Sequence, residues 1–130
     1  LQRNMFVEAV LPSSVIRQMG EEEMNQYRKP FIRVADRQPT LNWPRQIPID
    51  GEPPHMVDLV ASYGEWMASN QELPKLFINA YPGSILTGKA RKFCRTWPNQ
   101  KEVTVAGTHF IQEDSPAEIG IAVAEWLKTI

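Results

Sequence analysis

The stretch LPKLFINAYPGSILTGKARKFCRTWPNQKEVTVAGTHFIQEDSPAEIG, residues 73–120, decides the fold. Its run KLFINA (75–80) is short, continuous and apolar, as expected of a strand buried on both faces. Thr87 can cap a following helix with Ala90, Phe93, Cys94 and Trp97 on its inner side. A second strand is predicted over EVTVAG (102–107). Ser115, Pro116 and Glu118 then have the spacing of a capping box with proline at the first helical position, opening AEIGIAVAEWLKTI. Strand, helix, strand and helix with short links predict a parallel sheet covered by helices. Two parallel strands leave an edge and a face uncovered, so the sequence reads as the last third or half of a larger α/β domain.

Working outward, PPHMVDLVASYGEWM (53–67) predicts a helix opened by its prolines. Met56, Val57, Val60, Tyr63, Trp66 and Met67 share one face expected to be buried. His55 falls in its first turn, where a surface position is expected. Residues 31–52, including RQPTLNWPRQIPIDG, show no sustained period and predict a long loop, a feature often tied to function. EEEMNQYRKPF (21–31) predicts a helix with glutamates at its positive end and Arg28 and Lys29 at its negative end, stopped by Pro30. Ser13 or Ser14 can cap a short helix holding Val15, Ile16 and Met19. Residues 1–11 carry Phe6, Val7, Val10 and Leu11 at helical spacing and should end at Pro12. The first residue is Leu1 rather than Met, inside that pattern, so the chain reads as cut from something longer.

With 130 residues, 42% of them hydrophobic and 22% charged, one soluble domain with a real core is expected. A net charge of -1 supplies no basic field, which argues against sequence-independent nucleic-acid binding. The apolar runs are too short to span a bilayer, and no secretion leader opens the chain. The one cysteine, Cys94, forms no internal disulfide and belongs to no CxxC-type metal pattern, so a reducing cytoplasm is the expected compartment. Seven of the eleven prolines lie at or before Pro54 and break that half into short pieces.

His109 is one of only two histidines, and it follows the second predicted strand. Loops at the C-terminal ends of parallel strands often host function, so His109 is a candidate catalytic group as well as a candidate loop residue. Glu113 and Asp114 are tempting partners for it. Their place just before a helix start, where the dipole favours negative charge, gives them an ordinary structural reading.

Residues 73–120 closely resemble the C-terminal part of haloalkane dehalogenases, members of the α/β-hydrolase fold. VLPSSVIRQMGEEEMNQYRKPF (10–31) and RQPTLNWPRQIPIDGEP (37–53) resemble the later part of that family's helical cap domain. NWPRQIPI and HFIQEDSP are the specific segments. Renilla-type luciferases, relatives that oxidise coelenterazine, have similar forms of both. The resemblance implies an α/β chain holding the last two parallel strands with their helices, preceded by cap segments. Residues 1–52 would be the end of the cap and its return loop, and residues 53–130 the end of the core.

The resemblance also implies a chemistry. A carboxylate displaces halide from carbon and leaves an alkyl ester on the enzyme; a histidine then deprotonates the water that hydrolyses the ester. His109 aligns with that base. Phe6 and Val10 on a cap helix, Ser14 at a tunnel mouth, Trp43, Pro44 and Ile47 in the long loop, Ile85 after the first strand, and Phe110 beside the base align with the substrate pocket and tunnel. A small residue at Ser14 implies a wide tunnel mouth. The family's attacking aspartate elbow, its halide donors and an acid after the sixth strand have no counterpart in these 130 residues. NAYPGS (79–84) holds no carboxylate, and Tyr81 stands where relatives often have an acidic residue.

The expected function is therefore hydrolysis of a small halogenated hydrocarbon by water, with no metal or organic cofactor, no nucleic acid and no membrane. The chain by itself should be inactive until complemented by an N-terminal half. The alternatives are a non-catalytic chain that self-associates, for example as a homodimer through its unpaired edge, and a luciferase-like oxidation on the same fold.

Overall fold

The computed structural model describes all 130 residues, Leu1–Ile130, in two compact units. One comprises Leu1–Ser13 and Gln18–Gly64; the other comprises Ser14–Arg17 and Glu65–Ile130.

In the first unit a π-helical turn over Phe6–Val10 runs directly into α1 (Leu11–Ser13). The expected stop at Pro12 does not occur, and the helix begins at Met5. Proline has no N–H and crowds the carbonyl four residues back. The turn before it is widened, with the Leu11 N–H donating to the Phe6 carbonyl five residues back, so the chain passes through Pro12 still helical. Val7 and Leu11 are buried, and so is Met24 of α2 (Glu21–Arg28). The Glu23 carboxylate reaches back to accept the Gly20 N–H at 2.7 Å, which fixes the start of α2. Pro30 does not end the helical path either; it continues as a 3-10 turn over Lys29–Phe31.

Residues 31–52 are not the structureless loop expected. They form a 3-10 turn at Val34–Arg37, the helix α3 (Gln38–Asn42), a second 3-10 turn at Pro44–Gln46, and a tight turn closed by reciprocal Ile49–Glu52 backbone bonds of 3.0 Å. Pro39 and Pro44 sit in the first turns of their elements, where no intrahelical N–H is needed. Prolines there start short helices rather than break a long one. The Arg37 guanidinium gathers the carbonyls of Leu1, Gln2, Phe31 and Ile32 at 2.7–3.1 Å.

The helix α4 (Pro54–Ser69) forms as its periodicity predicts, but its apolar face is not buried. Leu59, Val60, Tyr63 and Trp66 are exposed, and Met56, Val57 and Met67 are half-buried. Within these residues no further layer lies over that face.

The second unit is built on β1 (Lys75–Pro82), α5 (Gly88–Cys94), β2 (Gln100–Gly107), α6 (Ile111–Asp114) and α7 (Pro116–Leu127). The sheet has two strands, parallel, in register from Lys75 opposite Gln100 to Pro82 opposite Gly107. Along β1, Lys75, Phe77 and Asn79 are buried while Leu76, Ile78 and Ala80 are half-buried, the two-residue alternation of a strand covered unequally on its faces. Helix α7 packs against both strands, with Ala122 and Val105 buried.

Three local expectations are overturned here. Ser115 does not form the capping box: its hydroxyl donates to the Ala106 carbonyl at 2.8 Å, pinning the start of α7 to β2. Thr87 precedes α5, but only its backbone carbonyl takes part, accepting the Arg91 N–H at 3.3 Å. Residues 14–19 form a turn and bends instead of a short helix, because the Ile16 and Arg17 N–H groups find the Asp114 carboxylate rather than helical carbonyls.

Candidate functional site

The C-terminal ends of β1 and β2 lie side by side, joined beyond the ladder by a Gly83 N–H to Gly107 carbonyl bond of 2.9 Å. Chain direction therefore delivers the segments after each strand to one end of the sheet. Gly107 lets α6 come close: a Cβ there would stand 2.8 Å from the Ile111 Cγ2. Gly83 adopts φ +72°, and a Cβ there would meet the Ala80 carbonyl at 3.0 Å.

Between these strand ends is a cleft of ≈ 220 Å³ lined by Ile78, Ala80, Ile85, Leu86, Thr108, His109 and Ile111. Five of the seven present hydrocarbon, and His109 is the one side chain able to take up or release a proton near neutrality. Sites for drug-sized ligands run to roughly 300–1,000 Å³, so this space suits a molecule of only a few heavy atoms. A larger hollow of ≈ 590 Å³ involves Pro74, Lys75, Asn99, Gln100, Lys101 and Trp126, at the N-terminal ends of the strands. Ligands of parallel sheets bind beyond the carboxyl ends, which favours the smaller, apolar cleft.

His109 is half-buried, and its ring leans on Phe110 with centroids 4.6 Å apart and planes at 51°. Its backbone is held by an unusual acceptor. The Ser14 carbonyl takes the Thr108 hydroxyl at 2.7 Å, the His109 N–H at 3.2 Å and the Phe110 N–H at 3.1 Å. Asp114 faces the same turn from α6. Its Oδ2 accepts the Thr108 N–H at 3.3 Å, and its Oδ1 accepts the N–H groups of Ile16 at 2.8 Å and Arg17 at 3.3 Å. Glu113 accepts from the Arg17 guanidinium at 2.9 Å. Both carboxylates are thus engaged by backbone N–H groups or by arginine, a role beyond the helix-start charge that their position suggested.

The other wall is set by Arg91 of α5. Its Nη2 donates to the carbonyls of Ala80 at 2.8 Å and Pro82 at 3.2 Å, and its Nε to Leu86 at 3.2 Å. Those bonds fix the path of residues 82–87 and with it Ile85 and Leu86. Arg95, immediately after α5, belongs elsewhere: its guanidinium grips Glu102 of β2 at 2.6 and 2.8 Å, which holds the Glu102 carboxyl below the usual range.

Among the residues expected at a site, Ser14, Ile85, His109 and Phe110 come together in this unit. Ile85 is largely exposed at the cleft, and Ser14 takes part through its carbonyl. Phe6, Val10, Trp43, Pro44 and Ile47 lie in the first unit. Phe6 and Pro44 are half-buried there, whereas Val10, Trp43 and Ile47 are exposed. His55 is at the surface, its ring 3.2 Å from the Gln46 side chain. Sequence reasoning missed Ile78, Ala80, Leu86, Thr108 and Ile111 as lining, and Asp114, Arg17 and Arg91 as fasteners. Alternation along β1 could have pointed to Ile78 and Ala80; no spacing rule points to Arg91. No group of three or more His, Cys, Asp or Glu side chains comes together in a way that could hold a metal ion. No helix is long and apolar enough to cross a membrane.

No family model matches the chain. A haloalkane dehalogenase of Sphingobium indicum is 55% identical over 131 residues, covering 100% of this chain and 44% of the relative. One from Mycolicibacterium smegmatis is 50% identical, covering 100% of the chain and 42% of the relative. The coelenterazine h 2-monooxygenase of Renilla reniformis is 39% identical, again over 100% of the chain and 42% of the relative. Among solved structures, an ancestral haloalkane dehalogenase superposes with a TM-score of 0.91 at 38% identity, over 98% of this chain and 45% of the other. The delta mutant of DbjA superposes with a TM-score of 0.92 at 34% identity, over 98% and 44%. The chain spans less than half the length of each of these relatives.

Proposed function

We propose, for a chain homologous along its whole length to haloalkane dehalogenases and folded as part of their α/β-hydrolase fold, that it supplies the base and one apolar wall of a hydrolase acting on carbon–halogen bonds. The single observation that carries this reading is His109, fixed at the C-terminal end of β2 and facing a small cleft of hydrocarbon side chains.

The chemistry follows from that setting. A haloalkane offers few hydrogen bonds, so walls such as Ile78, Ile85, Leu86 and Ile111 hold it by burial and exclude water from the reacting carbon. A carboxylate supplied from outside these residues attacks that carbon in line; the carbon–halogen bond breaks as the carbon–oxygen bond forms, and halide leaves with the electron pair. The alkyl ester is then hydrolysed. The His109 imidazole takes a proton from water, hydroxide adds to the ester carbonyl, and collapse releases the alcohol and restores the carboxylate. His109 thus acts in the second half of the cycle only. Phe6, Val10, Ser14, Trp43, Pro44, Ile47, Ile85 and Phe110 are proposed to wall the substrate path; all but Ser14 have apolar side chains, which suits an apolar substrate.

Under this reading the chain alone is inactive, and its partner is an N-terminal portion bearing the nucleophile. The test is to supply that portion from a homologous dehalogenase and measure halide release from a short bromoalkane. The mixture should turn over while each part alone does not. His109→Gln should reduce steady-state release by about 10³-fold or more, since a general base and its positioning are lost together. Absence of halide from a folded, associated mixture would overturn the proposal. The luciferase-like reading stands second, because the monooxygenase is the more distant relative at 39% identity. Light from the same mixture with coelenterazine, without halide release, would put it first.

A further inference from the structure

Asp114, the last residue of α6, is a half-buried carboxylate that is not itself part of the cleft lining, and it binds three backbone N–H groups from two separate stretches of chain. Two of those N–H groups belong to Ile16 and Arg17, and the third to Thr108, which precedes the histidine. From the opposite direction, the Ser14 carbonyl accepts from Thr108, His109 and Phe110 in succession. The same two stretches are thus joined reciprocally, one offering a carbonyl and the other a carboxylate. Arg17 adds a third tie, donating to the Glu113 carbonyl and carboxylate.

The reciprocity has a physical consequence. Residues 14–17 have no helix or strand to hold them, and the turn at Thr108–Phe110 lies beyond the last ladder pair. Each stretch is held by backbone bonds to the other and by the carboxylate of Asp114 in α6. A carboxylate accepting several N–H groups is among the stronger neutral-donor arrangements, and removing it leaves three donors to find water.

We propose that Asp114 is a positioning residue for His109. It fixes the Ser14–Arg17 segment, whose carbonyl in turn sets the backbone, and so the ring direction, of the base. The proposal rests on the dehalogenase reading for its catalytic consequence, but the geometry can be tested without it.

Nuclear magnetic resonance on the 130-residue chain would follow the His109 ring signals and the exchange of the 108–110 amides in wild type, Asp114→Ala, Asp114→Asn and Glu113→Gln. Asp114→Ala should shift and broaden the His109 ring signals and speed exchange at residues 108–110. Asp114→Asn, which keeps one acceptor oxygen, should recover part of both. Glu113→Gln should leave both near wild type. Thr108→Val, which removes only the hydroxyl bond to Ser14, should give a smaller change of the same kind and keeps the test open if Asp114→Ala does not fold. In the complemented enzyme, Asp114→Ala should slow steady-state halide release by on the order of 10–100-fold while leaving a first burst of about one halide per site, because the base is used only after displacement. Ring signals and amide exchange unchanged in Asp114→Ala, or a burst lost in step with the steady rate, would overturn the positioning role. A wild-type mixture with no burst and no turnover would instead count against the dehalogenase reading and leave the magnetic-resonance comparison to decide this one.

Discussion

Lys75 shows at the residue scale how a charge is accommodated in this chain. It opens β1 and is buried, yet its ammonium donates to the carbonyls of Asn70 at 2.7 Å, Leu73 at 3.1 Å and Pro98 at 2.9 Å. All three donors of the ammonium are used, and the carbonyls have few other partners at a strand start. Lys75→Met should lower unfolding stability by about 1–3 kcal/mol, because three acceptors lose a charged donor at once. Denaturant unfolding checks this, and an unchanged midpoint would show that water replaces the ammonium without cost. The place of a single residue was legible in the sequence where it depends on chain order alone. His109 falls where a parallel strand ends, and it stands there. Roles that depend on a contact made across the fold were not legible. Ser115 has the spacing of a cap, but its hydroxyl donates to a strand carbonyl and makes no cap bond to its own helix; Asp114 reads as a helix-start charge, although its donors lie 97 and 98 positions away as well as nearby.

At the scale of elements, strands and long helices follow from local periodicity, whereas proline-rich stretches do not. Over residues 31–52 proline was read as a breaker, but at the first turn of a short helix it is a starter, and which role it takes depends on its neighbours' hydrogen bonds. The same holds at Pro12, where one widened turn keeps the helix going. Charge pairs tie elements together more weakly. Arg95 after α5 and Glu102 in β2 form such a tie, and the hydrogen bonds from the guanidinium lower the Glu102 carboxyl's affinity for protons. A carboxyl depressed in the folded state adds stability that is present above its ordinary range, near 4, and disappears as pH falls through the lower folded value. Glu8, held down by its bonds to Arg28, acts in the same sense. Glu102→Gln should therefore be slightly less stable than wild type at pH 7, with a gap that closes below about pH 4. Thermal unfolding at several pH values checks it; a gap that persists in acid would assign the effect to packing.

For the whole molecule, the decisive features are what the two strands leave open. The sheet has two members, the apolar face of α4 carries exposed Val60, Tyr63 and Trp66, and the cleft at His109 has no carboxylate among its lining residues. The fold class was readable because strand–helix–strand order is a local pattern. The burial of α4 was misread because periodicity reports which side of a helix is apolar, and not whether anything lies over it. The relatives extend to more than twice this length, and the proposal is that the attacking group comes from the portion not represented here. The most direct measurement is the mass of that portion after the complemented protein carrying His109→Gln is mixed with a bromoalkane. The account predicts one added alkyl group on a carboxylate, accumulating with one equivalent of halide and absent from wild type at steady state. An unmodified mass with halide still turning over would contradict it.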